Sequence, residues 1–123
     1  MMLGQPTLDV AASAGPYVST KIAQLNDQLR RGQGDGRVML TPGVAAMPPA
    51  GQIELLKAVQ RFDDFADGND PYGEHDFGAV HLDTETFFWK IDCYDVSMTM
   101  ASPDPTDPSV TCRVLTIMRA DEY

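Results

Sequence analysis

Basic residues are scarce in this chain: nine Lys and Arg stand against 18 Asp and Glu in 123 residues, for a net charge of −9. Such a field repels free nucleic acid and anionic membranes, so neither is expected as a direct partner, while basic proteins and divalent cations are attracted. Long apolar runs are also missing; none approaches the ~20 residues that a membrane-crossing helix needs. The opening Met1-Met2-Leu3-Gly4-Gln5-Pro6 has neither a basic leader nor a long apolar stretch, which predicts no secretory signal and a cytoplasmic location. Cysteine is limited to Cys93 and Cys112, without CxxC spacing or a nearby histidine pair, which excludes a zinc site of the usual kind. Two buried, reduced thiols are expected, although spacing alone leaves a single disulfide open. GxSxG and HExxH are absent, as is a Cys-His-Asn context, so neither a nucleophile nor a catalytic zinc is indicated, and no cofactor is expected.

What is present suits one globular unit. The length is close to the commonest domain size, and 43% hydrophobic with 22% charged residues is ordinary for a folded chain. The charge is segregated. Residues 1–62 carry six Lys/Arg against four acids, a net +2; residues 63–123 carry three against fourteen, a net −11. Residues 1–16 mix Gly, Pro, Ala and Ser without a period and read as a flexible arm, leaving 17–123 as a single α+β domain.

Within that domain, Val18, Ile22, Leu25 and Leu29 form one apolar stripe, predicting a helix from about Ser19 that Arg30 and Arg31 favour at its negative end and Gly32 closes. The Gly32–Gly36 stretch lacks the GK[ST] context of a phosphate cradle and reads as a connector. Arg37–Thr41 reads as a short strand stopped by Pro42-Gly43. A second helix starts near Pro49, with Ile53, Leu56, Val59 and Phe62 expected inside and Leu55 on the flank. Gly78–Leu82, a tight turn at Asp83-Thr84 and Thr86–Tyr94 predict a hairpin, in which Phe87, Trp89, Ile91 and Cys93 share one face and Phe88, Lys90, Asp92 and Tyr94 the other. Met98 and Met100 suggest a further short strand. Asp107 and Pro108 can start a last helix carrying Val110, Val114, Ile117 and Met118, whereas the β-branched content of 110–117 favours a strand; the helix is the preferred reading. The expected architecture is a small antiparallel sheet of three to four strands packed by two or three helices.

Four segments carry a family resemblance: Phe62-Asp63-Asp64-Phe65, the run Asn69–Gly78 (NDPYGEHDFG), Phe88–Asp92 (FWKID) and Arg113–Met118 (RVLTIM). Over about residues 21–123 the chain resembles a family of short bacterial proteins catalogued only as a domain of unknown function. The resemblance implies a bacterial cytoplasmic protein, with members often encoded near plasmid or other mobile-element genes, and favours genetic-conflict roles such as blocking restriction or CRISPR machinery. It brings no reaction, cofactor or catalytic residue.

The acidic half supports two readings. In the first, Asp63, Asp64, Asp67, Asp70, Glu74, Asp76, Asp83 and Glu85 form a negative face that occupies the nucleic-acid groove of a basic protein, with Phe88 and Tyr94 as aromatic anchors if no helix covers them. In the second, the 67–76 loop is a small hydrolase-like centre built on His75 with Glu74 or Asp92, or a divalent-ion site using Asp67, Asp70, Glu74 and Asp76. Pro71 and Tyr72 stand where an EF-hand needs a ligand and glycine, so the loop is not that motif. His81 alternates with Val80 and Leu82 and reads as a solvated strand residue. The first reading leads: a non-enzymatic inhibitor of a basic, nucleic-acid-processing protein, as a monomer or a homodimer paired through a sheet edge.

Overall fold

The computed structural model describes residues 10–123, with side chains from Tyr17 onward. Helix α1 (Val10–Arg30) begins ahead of the expected start near Ser19, so 10–16 of the expected arm are helical and 1–9 lie outside the described residues. Its end is the one its sequence predicts. Gly32, at φ 80°, donates to the Leu29 carbonyl (3.0 Å) and Gln33 to that of Gln28 (2.8 Å), the paired bonds of a Schellman exit.

Strand β1 (Arg37–Leu40) leads through a one-turn helix α2 (Pro42–Ala45) to α3 (Pro49–Arg61), followed by β2 (Phe77–Leu82), β3 (Glu85–Tyr94) and β4 (Cys112–Arg119). The four strands form one sheet in the order β1-β4-β3-β2. The fold is α+β as expected. β2, β3 and β4 pair antiparallel, while β1 joins β4 in parallel, which makes the sheet mixed. The β2–β3 turn puts Asp83 in the left-handed region (φ 55°), at the predicted hairpin tip.

Strand alternation places Phe87, Trp89 and Ile91 of β3, Leu115 and Ile117 of β4 and Val80 of β2 on one face. These side chains form a single core with Leu29 of α1, Val44 of α2, and Leu55 and Val59 of α3. All three helices therefore contribute to the same face. Gly78 is required there: a Cβ at this position would lie 2.5 Å from Trp89 Nε1 and 2.8 Å from Phe62.

Three expectations are corrected. Residues 112–119 are a strand, not a helix. β4 is central, with Val114 and Met118 buried on one face and Leu115 and Ile117 on the other, so a strand buried on both sides mimics helical spacing. The 107–110 segment makes only a 3-10 turn, in which Asp107 accepts from the Ser109 amide as the predicted cap. Met98 and Met100 form no strand; they sit in a turn closed around Asp95, beside an isolated bridge from Tyr94 to Ala101. On α3 the buried stripe is Leu55 and Val59, while Ile53 and Leu56 are exposed. Gln52 accompanies this rotation, its Nε2 donating to the Val44, Ala45 and Met47 carbonyls where α2 ends. Ile53 and Leu56 instead line an apolar groove of about 270 Å³ with Val38 and Leu40.

Cys93 and Cys112 are free thiols, as expected, but both are half-buried rather than buried. Tyr94 pairs with Cys112 and Cys93 with Arg113, so the two cysteines point to opposite faces of the sheet. Burial pushes the Cys93 thiol pKa up.

Candidate functional site

The apolar stripe of α1 is interrupted by polar groups, and the 62–76 loop is built on them. Asn26 and Arg30, one turn apart beside Ile22 and Leu29, are both 1% exposed. Arg30 Nη1 donates to the carbonyls of Val59 (2.9 Å), Gln60 (3.2 Å) and Phe62 (2.8 Å), satisfying the end of α3. Its Nη2 donates to Asp27 Oδ1 at 2.8 Å, and the guanidinium carbon lies 5.2 Å from the Trp89 ring centroid and 5.5 Å from that of Phe65. Only Nε lacks an acceptor.

Asp27 has a second partner, His75, whose Nδ1 lies 3.0 and 3.1 Å from its two oxygens. The His75 ring stacks on Phe65 at 3.8 Å with 2° between planes, and its Nε2 is 3.7 Å from Asp70 Oδ2. Asp70 Oδ1 accepts from the amides of Glu74 and His75, holding the left-handed backbone at Gly73 and His75. Asn26 completes the clamp: its Nδ2 donates to the Glu74 carbonyl and its Oδ1 accepts from Arg113 Nε, both in good geometry at 2.9 and 2.8 Å. Asn69 adds a local loop, accepting from the Ala66 amide and donating to the Asp64 carbonyl.

The predicted residues fall into three groups. Asp63, Asp64 and Asp67 are exposed on the segment after α3, and none forms an ion pair among the described residues. Asp70, Glu74, His75 and Asp76 lie together at the start of β2. Burial first, then neighbouring carboxylates, raises the pKa of both Glu74 and Asp76; Asp76 and Asp70 act on Glu74, and Asp70 and Asp92 on Asp76, against a lowering by its own backbone hydrogen bond and by His75. Asp83 and Glu85 stand at the other end of the hairpin, about 20 Å away at ~3.3 Å per residue over six residues, and Glu85 is paired with Arg119 at 2.7 Å. The eight acids are therefore not one row.

The carboxylates that meet His75 are Asp27 and Asp70. Asp92 instead pairs with Lys90 at 3.1 Å, and that hydrogen bond raises the Lys90 pKa. Among the described residues no group of three or more His, Cys, Asp or Glu side chains is placed to hold a metal ion, so Asp67, Asp70, Glu74 and Asp76 do not converge. His81 is exposed and contacts Thr86 Oγ1. Phe88 lies on the sheet face away from the helices, half-buried in a trio with Phe77 and Tyr123 whose centroids are 5.3–5.9 Å apart. Tyr94 is half-buried on the same face.

Sequence reasoning missed Asn26, Asp27, Arg30 and Phe65. The readable signal was the pair of polar residues in an otherwise apolar α1 stripe.

Fold and clamp together define an α+β domain whose acidic loop is locked from beneath by α1. The chain belongs to the family described as Protein of unknown function (DUF3768), whose model matches residues 40–122. Asn26, Asp27 and Arg30 precede that span and, apart from the Arg30–Asp27 pair itself, their partners lie within it, so the clamp fastens α1 onto the family domain. Neither the curated proteins nor the solved structures include a match to this chain. Among the described residues no helix is long and apolar enough to cross a membrane.

Proposed function

We propose that this protein is a non-enzymatic interaction protein whose acidic loop binds and inhibits a basic, nucleic-acid-processing partner, of the anti-restriction or anti-CRISPR type. One observation carries the reading: Asp63, Asp64 and Asp67 are exposed and, among the described residues, without cationic partners, on a segment anchored by Asn69, Asp70 and the His75–Asp27 contact. A negative surface held in place loses less conformational freedom on binding than a mobile one, and opposite fields steer encounter. Mimicry of a phosphate row would use these three carboxylates with Glu74 and Asp76, rather than the hairpin tip. The genetic-conflict context expected from the family resemblance favours the same class of partner. Against the hydrolase alternative, both ring nitrogens of His75 face carboxylates and one ring face is covered by Phe65, so neither nitrogen is left free to exchange a proton with a substrate.

The test is capture from a bacterial lysate at low salt, in parallel with the triple variant Asp63→Asn, Asp64→Asn, Asp67→Asn. The expected outcome is a basic protein retained by the native chain, released by about 0.5 M salt as screening shortens below ~5 Å, and lost with the variant. Recovery of no such protein, or of one indifferent to salt and to the three substitutions, defeats the proposal.

A further inference from the structure

On the other side of α1 lies a cavity of about 530 Å³, within the ~300–1,000 Å³ typical of small-molecule sites. It is bounded by the 33–37 loop, Arg113, and an apolar side of Leu25, Val96 and Pro108. Arg113 is 4% exposed yet meets no carboxylate among the described residues, in a chain with twice as many acids as bases. Its Nε donates to Asn26 Oδ1 and its Nη2 to the Pro105 carbonyl (2.5 Å), both neutral acceptors, while Nη1 has none among the described residues. A guanidinium this buried without a counter-charge is costly, and its own pKa is lowered by that burial.

The loop adds donors. No protein acceptor among the described residues meets the amides of Gly34, Asp35 or Gly36, three in succession. Gly36, at φ 151°, lets the chain cross so close that a Cβ would lie 2.8 Å from Leu29 and 3.0 Å from the Arg113 carbonyl. Arg37 and Gln33 also line the cavity, and among the described residues Arg37 has no ion-pair partner. Against these donors stands one wall carboxylate, the exposed Asp35. The negative end of α1 is muted, because the Gln28 and Leu29 carbonyls are already taken by the Schellman bonds.

We propose that this cavity binds the oxyanion group of a small molecule, a phosphate or a carboxylate, between the Arg113 guanidinium and the amides of Gly34–Gly36, with the rest of the ligand against Leu25, Val96 and Pro108. Delocalised guanidinium and consecutive backbone amides suit an oxyanion in either form. The site is separate from the acidic loop and stands whether or not that loop has a partner.

The experiment is an amide-resolved NMR titration of the full chain with sodium phosphate and, separately, sodium acetate, at constant ionic strength. Saturable shifts are expected at Gly34, Asp35, Gly36 and the Arg113 Nε–H, with none at Asp63–Asp67. Saturation with phosphate alone assigns a phosphate group; saturation with acetate alone assigns a carboxylate. Arg113→Gln should weaken binding about tenfold, the loss of one charge-assisted hydrogen bond. Gln33→Glu, on the exposed loop, should weaken it comparably through repulsion and decides the matter if Arg113→Gln does not fold. No saturable shift with either ion, or unchanged affinity in Gln33→Glu, overturns the proposal.

Discussion

Two buried arginines, Arg30 at the end of α1 and Arg113 on β4 beside it, are treated differently by the fold. Arg30, at 1% exposure, has a carboxylate in Asp27, three α3-end carbonyls and two aromatic faces. Arg113, at 4%, has an amide oxygen, one carbonyl and an adjoining cavity. Both lie among polar groups that Asn26 and its neighbours deliver from the same helix. The difference separates a charge spent on structure from one left available. Arg30 ties α1, α3 and the acidic loop into one body; Arg113 closes the other side without being neutralised.

Replacing each in turn should break that comparison most visibly. Arg30→Met leaves Asp27 with His75 alone and strands the end of α3, and should cost about 3–5 kcal/mol, measured as a loss in urea-unfolding free energy. Arg113→Met removes hydrogen bonds to neutral acceptors only, and should cost about 1–3 kcal/mol. An Arg113 loss as large as that of Arg30 would mean that its charge is compensated inside the protein, and the contrast would vanish. Next in size is Gly78→Ala. It drives a methyl into the Trp89 indole that Arg30 stacks on, and should cost about 1–3 kcal/mol by overpacking. If instead it is neutral, the aromatic floor of the clamp yields more readily than its contacts indicate.

Much of this arrangement could be read from local pattern. The β3 alternation, the Asp83 tip, the Gly32 exit and the Asp107 cap each depend on residues a few positions apart, where the physics is local. β4 was misread because burial on both faces erases the period-2 signal, and α3 because Gln52 could replace an apolar residue by capping α2. The acidic loop was legible as a loop, and its lock was not: His75 finds Asp27 across 48 positions and Arg113 finds Asn26 across 87. Spacing along the chain carries no trace of such pairs. The cavity shows the same limit, since the Gly32–Gly36 stretch reads as a plain connector until Arg113 is brought beneath it.

The finest test of the difference between committed and uncommitted charge lies in two glutamates with opposite shifts. Glu122 accepts from Thr41 Oγ1 (2.6 Å) and from the amides of Gly43 and Arg119, which hold its pKa below the usual value. Its stabilising effect is present above the unfolded-state pKa and is lost as pH falls through the depressed folded value. Glu74 has the reverse sign. Burial and the neighbouring Asp76 and Asp70 raise its pKa, so the folded state binds its proton more tightly than the unfolded chain does. Ionised Glu74 thus opposes folding at neutral pH, and the opposition fades as pH falls through the raised value. Glu122→Gln should lower the urea midpoint at pH ~7 and Glu74→Gln should raise it slightly, with both differences from the native chain shrinking towards pH ~3, where carboxyls are largely protonated. A destabilised Glu74→Gln at neutral pH would show that the ionised side chain has a cationic partner. The acidic cluster would then belong, with Arg30, to the committed charge of the fold.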